Sequence, residues 1–313
     1  MSEKAVEIVN LVKKFGNFVA VNGVTLDIFS GEIFGLLGPN GSGKTTTLLV
    51  IATVYKPTSG DVRVYGHSVV SEGDKVRRLV GIAFQDPKAL GIDKPYDLLL
   101  WHAQVVGYSA NEARKVVREI MEDLGLWEHR NKYFYQLSGG TRKKIEIAKV
   151  LIQKPRVAIF DEPTAQVDVI SKHYMWEKIR ELRDEGSTII VATNDMFEAE
   201  RVCERLAIMY KGVLRSVGTV KELKDSIPYG DVVELELDSP LERDVVEALS
   251  SFGKVVYADN KVMLYVNRGE EVAVEVVDML RRSSRRILRM MVKEPTLDDV
   301  FFYLTGAKLK EES

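Results

Sequence analysis

The sequence predicts an α/β fold built on a largely parallel sheet, followed by a small α+β domain. Three observations predict it. Short apolar runs alternate with helix-period segments through residues 1–218. A glycine-rich loop joins one such run to a helix. Beyond about residue 219 the order becomes strand, helix, strand, strand, helix, strand, which is the split ferredoxin-like order. A length of 313 residues suits two domains better than one, and 45% apolar with 29% charged residues is enough for an ordinary globular core.

In chain order, 5–9 and 24–28 alternate as strands, and 31–37 continue that pattern. Helix-compatible sequence covers 45–54, and strands are expected at 59–65 and 80–84. From 96 to 126 the period is helical, broken at Gly107-Tyr108-Ser109; Ser109 with Glu112 is a capping-box pattern. A third helix covers 138–153, with Ile145 and Ala148 on one face. Fully apolar strands follow at 157–160 and 188–193. The helical block at about 90–150 interrupts the alternation and reads as a subdomain inserted into a first domain of 1–218. In the second domain, 219–313, strand 231–238 puts Val233, Leu235 and Leu237 on one face. A helix is expected at 241–252 and a hairpin at 255–257 and 262–266 around Asp259-Asn260. Helix 270–281, strand 286–292 and helix 296–304 behind Pro295 complete it.

A net charge of −2 excludes nucleic-acid binding by bulk electrostatics. The single cysteine, Cys203, forms no internal disulfide and reads as a small buried side chain, in keeping with a reducing compartment. No apolar signal segment opens the chain, and no run reaches the ~18 apolar residues of a membrane helix, so any membrane part lies on another chain. The basic run Arg281, Arg282, Arg285, Arg286, Arg289 and Lys293 reads as a solvated helix end and strand edge, with lipid headgroups as the competing reading. Trp101, Trp127 and Trp176 read as packing residues.

The chemistry concentrates in Gly38-Pro39-Asn40-Gly41-Ser42-Gly43-Lys44-Thr45-Thr46, placed after a strand and before a helix. Its glycines let backbone N–H groups curl around phosphate oxygens, and the helix N-terminus adds positive potential. Lys44 reaches the β- and γ-phosphates, and the Thr45 hydroxyl can ligate Mg²⁺. Asp161 ends an apolar strand, at the sheet edge where ligands of such folds bind, and can hold Mg²⁺ through water. Glu162 follows and can address a water beyond the γ-phosphate.

At Leu137-Ser138-Gly139-Gly140-Thr141 the sequence resembles the signature motif of ABC ATPases, and the resemblance covers about 1–218. It implies an ABC-type nucleotide-binding domain with ATP and Mg²⁺ as ligands. It further implies that Ser138, Gly139 and Gly140 close on the γ-phosphate of a partner chain's ATP, so that two copies or relatives pair. By the same resemblance Phe15 stacks on adenine, with Phe18 as its rival; Gln85 contacts Mg²⁺ and senses the transport partner; Glu162 is the general base; and Asp168 is the family's aspartate in the following loop. The stretch Glu294-Pro295-Thr296-Leu297-Asp298-Asp299-Val300-Phe301-Phe302-Tyr303-Leu304-Thr305-Gly306 resembles the end of ATPase subunits of ABC-2-type exporters of the drug-resistance and polysaccharide-export kind.

The chain departs from the family at two places. The switch histidine should fall within 191–196, where the position is Asn194; the only histidines are His67, His102, His129 and His173. Asparagine donates one neutral hydrogen bond and relays no proton. The weaker bond costs about 1 kcal/mol, whereas a lost acid–base role costs on the order of 10²–10⁴ in rate. Gln166 also replaces a glycine in the loop after Glu162.

The resemblance implies an energy-coupling subunit of an export system, cytoplasmic and peripheral on the inner face of the membrane, driving a separate permease that sets substrate specificity. Asn194 keeps open a nucleotide-binding regulatory subunit with negligible catalysis. A soluble ABC ATPase of DNA repair or translation is the third reading; the single cassette and the lack of sustained heptads oppose it.

Overall fold

The computed structural model describes residues 3–87, 89–283 and 285–306. The chain divides into two compact units, Met1–Gly218 and Thr219–Ser313.

The first unit opens with two long strands, β1 (Lys4–Phe15) and β2 (Phe18–Phe29), paired antiparallel. Alternation is legible only over 5–9 and 24–28 because register shifts between Ile8 and Leu11, and again between Lys13 and Lys14, break the period elsewhere. β4 (Ser59–Val64) and the short β5 (His67–Ser68) complete this sheet in the order β2-β1-β4-β5.

The second sheet contains β3 (Ile33–Leu37), β6 (Val80–Ala83), β7 (Val157–Asp161), β8 (Thr188–Thr193), β9 (Arg205–Tyr210) and β10 (Val213–Thr219), ordered β10-β9-β3-β8-β7-β6. β3 pairs parallel with β8 and β9, and β7 pairs parallel with β6 and β8. Every residue of β3, β7 and β8 is buried, as expected of parallel strands covered on both faces. Helix α1 (Lys44–Ile51) buries Leu48, Val50 and Ile51 in a core shared with both sheets. Because β3, β7 and β8 run parallel, their C-terminal ends, Leu37, Asp161 and Thr193, emerge at one edge.

Four α-helices are absent from the sequence reading: α2 (Gly73–Leu79), α6 (Val169–Asp184), α7 (Met196–Val202) and, in the second unit, the short helix Val220–Asp225. α6 buries only Met175, Trp176, Ile179 and Leu182, and its dense charge hides that stripe. The helical block consists of α3 (Pro95–Val105), α4 (Ala110–Asp123) and α5 (Gly139–Gln153). Their own core includes Leu99, Val117, Met121, Ile145 and Ile152. α4 starts at the expected capping box: Ser109 Oγ accepts from Glu112 N–H, and the Glu112 carboxylate accepts from Ser109 N–H at 2.9 Å.

The tryptophans behave differently from one another. Trp176 is buried, and Trp127 packs edge-on against Tyr96 between Arg118 and Arg130. Trp101 overturns the packing reading: it is 62% exposed, because it sits on the outward side of α3 along an open groove. Cys203 is buried, and burial pushes its thiol pKa up.

The second unit starts with α8 (Val220–Asp225) and continues through β11 (Asp231–Leu237), α9 (Arg243–Ser250), β12 (Lys254–Ala258), β13 (Lys261–Val266), α10 (Gly269–Arg282), β14 (Ile287–Lys293) and α11 (Leu297–Thr305). The sheet order is β12-β13-β11-β14 and all its pairs are antiparallel, which is the ferredoxin-like arrangement. Val233, Leu235 and Leu237 meet Val245 and Leu249 of α9 and Val276 and Leu280 of α10 in one core. The basic run divides. Arg281, Arg282, Arg286 and Arg289 are exposed, while Arg285 pairs with Glu242 and Lys293 pairs with Glu234. No helix among the described residues is long and apolar enough to cross a membrane.

Candidate functional site

The loop between β3 and α1 depends on missing side chains. A Cβ on Gly38 would lie 2.2 Å from the Met209 carbonyl oxygen, and Gly43, at φ 102°, would place one 2.7 Å from the Ala20 carbonyl oxygen. Only glycine lets the backbone approach so closely and turn that way. Lys44 is 4% exposed, and its Nζ donates to the carbonyls of Gly38 at 2.7 Å and Pro39 at 3.0 Å. Burial lowers its pKa, and the carboxylates of Glu162 and Asp161 oppose that shift. A groove of about 360 Å³ lies over the loop, lined by Phe18, Asn40 to Thr46, Gln85 and Glu162.

Asp161 ends β7 with 3% exposure. Burial raises its pKa, while the Thr45 hydroxyl, Lys44 and Lys143 favour its ionised form. Its Oδ1 is buried without a hydrogen-bond partner, and so is the Ser42 hydroxyl. Such orphan oxygens beside a threonine hydroxyl and a phosphate-type loop fit a small hard cation that takes oxygen donors and shares them with phosphate. Thr45 and Asp161 are the residues that could hold such a cation. Gln85 is exposed at the rim, and its Nε2 donates to Glu162 Oε2 at 2.9 Å.

Glu162 takes a left-handed backbone, φ 46°, unusual for a non-glycine residue. Its N–H donates to the Ala192 carbonyl at 2.9 Å and its carbonyl accepts from Lys143 Nζ at 3.0 Å. The sequence offered no signal for Lys143, since a lysine in a helix reads as solvated; here it is 9% exposed.

Asn194 follows the last residue of β8, exposed, between the strand that feeds the glycine loop and the strand that carries Asp161. None of the four histidines lines the groove. Asp195 caps α7, and Glu198 in that helix accepts from Thr164 Oγ1 at 2.6 Å and from Trp176 Nε1. This tie between the Glu162 loop, α6 and α7 is invisible in the sequence, because its three members lie far apart along it.

The signature corner lies elsewhere. Ser138 caps α5, accepting from Thr141 N–H at 3.2 Å; Ser138 and Gly139 are exposed, and none of Ser138, Gly139 and Gly140 lines the groove. A Cβ on Gly140 would meet the Val167 methyls at 3.9 Å, and Asp168 caps α6 by accepting from Ser171 N–H at 2.9 Å. Gln166 stands at φ 61°, a conformation glycine adopts without strain. Phe15 and Phe18 face each other across the β1–β2 hairpin, 42% and 64% exposed. Phe18 lines the groove, and Phe15 meets Tyr55 edge-on at 5.2 Å.

A strand, a glycine loop carrying a buried lysine, and an exposed serine–glycine–glycine helix start on one unit are the parts of an ATP-binding cassette. The family profile described as ABC transporter matches residues 21–165. A curated relative, the daunorubicin/doxorubicin resistance ATP-binding protein DrrA of Streptomyces peucetius, is 31% identical over 99% of this chain and 95% of its own. The chain belongs to the ABC transporter family. Within that family it is an ATP-binding protein of the ABC-2 exporter type. The profile of the DrrA1-3-like ATP-binding protein C-terminal domain matches residues 218–305. The Nod factor export ATP-binding protein I of Burkholderia lata is 32% identical over 96% of this chain and 97% of its own. Among solved structures, the dimeric post-hydrolysis state of an ATP-binding cassette bound to ADP and Pi superposes with a TM-score of 0.64 at 27% identity, covering 68% of this chain and 98% of that one. The ABC ATPase family to which this chain belongs hydrolyses ATP.

Proposed function

We infer that this subunit binds and hydrolyses Mg²⁺-ATP in a pair with a second copy or a related ATPase, and that the pair drives a separate membrane permease of an export system from the cytoplasmic face. One observation carries this reading. The groove over Lys44 is lined by the glycine loop, Gln85 and Glu162, while Ser138 and Gly139 are exposed and Ser138, Gly139 and Gly140 all lie outside it. Each chain thus presents two half-sites, and a facing chain completes both.

In this reading the loop amides and Lys44 hold the β- and γ-phosphates and stabilise charge on the transferring phosphoryl group. Thr45, Asp161 and Gln85 hold Mg²⁺, which when bound neutralises phosphate charge. Glu162 accepts the proton of the attacking water. Its hydrogen bond from Gln85 supports a resting carboxylate held by the glutamine. Phe15, steadied by Tyr55, stacks on the adenine. Asp168, next to the signature corner, serves the cross-chain contact. A groove of about 810 Å³ between Phe84 and α3, with Trp101, Val105 and Arg78 along it, is the surface for the permease's cytosolic helix.

Asn194 sets the rate. It donates to the γ-phosphate but relays no proton, so binding is intact and hydrolysis is slow. The test is steady-state ATPase activity of the wild type and of Asn194→His. The variant is expected to be at least about tenfold faster at unchanged ATP affinity. A fast wild type that the histidine leaves unaltered sinks the slow-hydrolysis reading. The same asparagine favours a second reading, a regulatory subunit without useful catalysis. A single-turnover assay with Mg²⁺ separates the two, because only the first leaves ADP and phosphate on the enzyme.

A further inference from the structure

We propose that Lys143 is a positioning residue that ties the signature helix to the carboxylate of its own chain's Glu162. The inference rests on Glu162 acting as the base. Lys143 lies in the second turn of α5, whose first turn begins at Ser138, the cap residue of the signature corner. The residue is 9% exposed, and among the described residues its ammonium makes no ion pair. Instead it donates to two main-chain carbonyls, those of Gln85 and Glu162. Enclosing an ammonium is costly unless its protons are all placed, and a leucine would fill the same space at less expense. Asp161 and Glu162 lie close enough for their charge to favour the ammonium form, against the burial that opposes it.

Glu162 has a left-handed backbone, which an L-residue keeps only where its surroundings enforce it. The enforcement comes from both flanks: the N–H is tied to β8 through Ala192, and the carbonyl is tied to α5 through Lys143. That backbone aims the carboxylate at Gln85 Nε2, and the Gln85 carbonyl is the other partner of Lys143. One side chain therefore clamps both loops that meet at the resting carboxylate. A nucleotide engaged by Ser138 and Gly140 from the facing chain loads the start of α5, and five residues later the same helix grips the base. Lys143 thus reports closure on one chain's ATP to the catalytic carboxylate of the other site.

The experiment compares wild type, Lys143→Met and Lys143→Arg in ATPase kinetics, fluorescent-nucleotide binding and thermal melting. Lys143→Met keeps length and loses the donors. The expected result is nucleotide affinity and KM within about twofold of wild type, with kcat reduced on the order of tenfold to a hundredfold through misplacement of the base. Lys143→Arg, which keeps donors and charge, is expected to recover most of kcat. Unchanged kcat in Lys143→Met overturns the proposal. Loss of affinity, kcat and melting temperature together in both variants also overturns it, since that pattern marks a strut for the fold. Glu162→Gln is assayed alongside: if it hydrolyses ATP at the wild-type rate, the assignment of the base fails, whatever the Lys143 variants do.

Discussion

At the scale of single residues, the site is governed by what each side chain is denied. Lys44 is denied water and turns to loop carbonyls; Asp161 is denied a partner for one oxygen; Asn194 is a neutral amide without a titratable group. The two aromatics of the hairpin are the residues whose roles separate most cleanly by measurement. Phe15 has its ring held by Tyr55 at 5.2 Å with Lys13 above it, whereas Phe18 stands free at the phosphate end. A pre-ordered ring loses less entropy on stacking. Phe15→Ala is therefore expected to weaken nucleotide binding by about 1–2 kcal/mol, roughly five- to thirtyfold, and Phe18→Ala by less. Equilibrium titration with a fluorescent ATP analogue reads both, and the reverse order would move the base to Phe18.

At the scale of elements, helix starts carry the local specificity of this chain. Ser109, Ser138, Asp168, Asp195, Thr219 and Thr296 each cap a helix by accepting a backbone N–H. The last is the most consequential for stability. Asp299, 1% exposed, accepts from the N–H and hydroxyl of Thr296 and from the Tyr265 hydroxyl, and lies 3.7 Å from Lys293 Nζ. The exporter-like stretch from Glu294 to Gly306 thus includes a latch that seats α11 on the second unit's sheet. Asp299→Ala leaves the Tyr265 hydroxyl and Lys293 short of a partner and is expected to cost the second unit about 3 kcal/mol. Urea unfolding followed through a probe in residues 219–306 checks this; a change below about 0.5 kcal/mol would show the latch to be dispensable. The capping box at Ser109 was legible in advance, because it is sequence-local; at the start of α11 the sequence reading gave only Pro295, and the Thr296–Asp299 box came from the structure. The loop running from Glu162 through Gln166 was legible only as chemistry, because a left-handed glutamate or glutamine leaves no mark in composition.

At the scale of the whole molecule, the claim to test is that a complete site needs two chains. Lys44→Ala removes the lysine of one half-site, and Ser138→Arg blocks the other. Each variant alone is expected to be inactive in homodimers. A mixture of the two forms mixed dimers in which one site pairs an intact loop with an intact signature corner, so activity should return that neither variant shows alone. ATPase assays on the variants and their equimolar mixture read this. Continued inactivity of a mixture that forms mixed dimers would mean that one intact composite site does not turn over by itself. Full activity of the Ser138→Arg protein alone would mean that one chain suffices.

The glycine loop, the apolar strand before Asp161, the signature corner and the two-domain division could all be read from residues in order. Each is a local pattern: a spacing, a run or a change of period, set by backbone geometry within a few positions. Tertiary structure alone decided which distant residues meet. Parallel pairing of β3, β8 and β7 gathers Lys44, Asn194 and Asp161 at one edge. Burial converts Lys143 from a surface charge into a clamp, and an open groove leaves Trp101 exposed. These follow from how packed layers exclude water, and water exclusion is a property of the folded surface, which no stretch of sequence carries by itself.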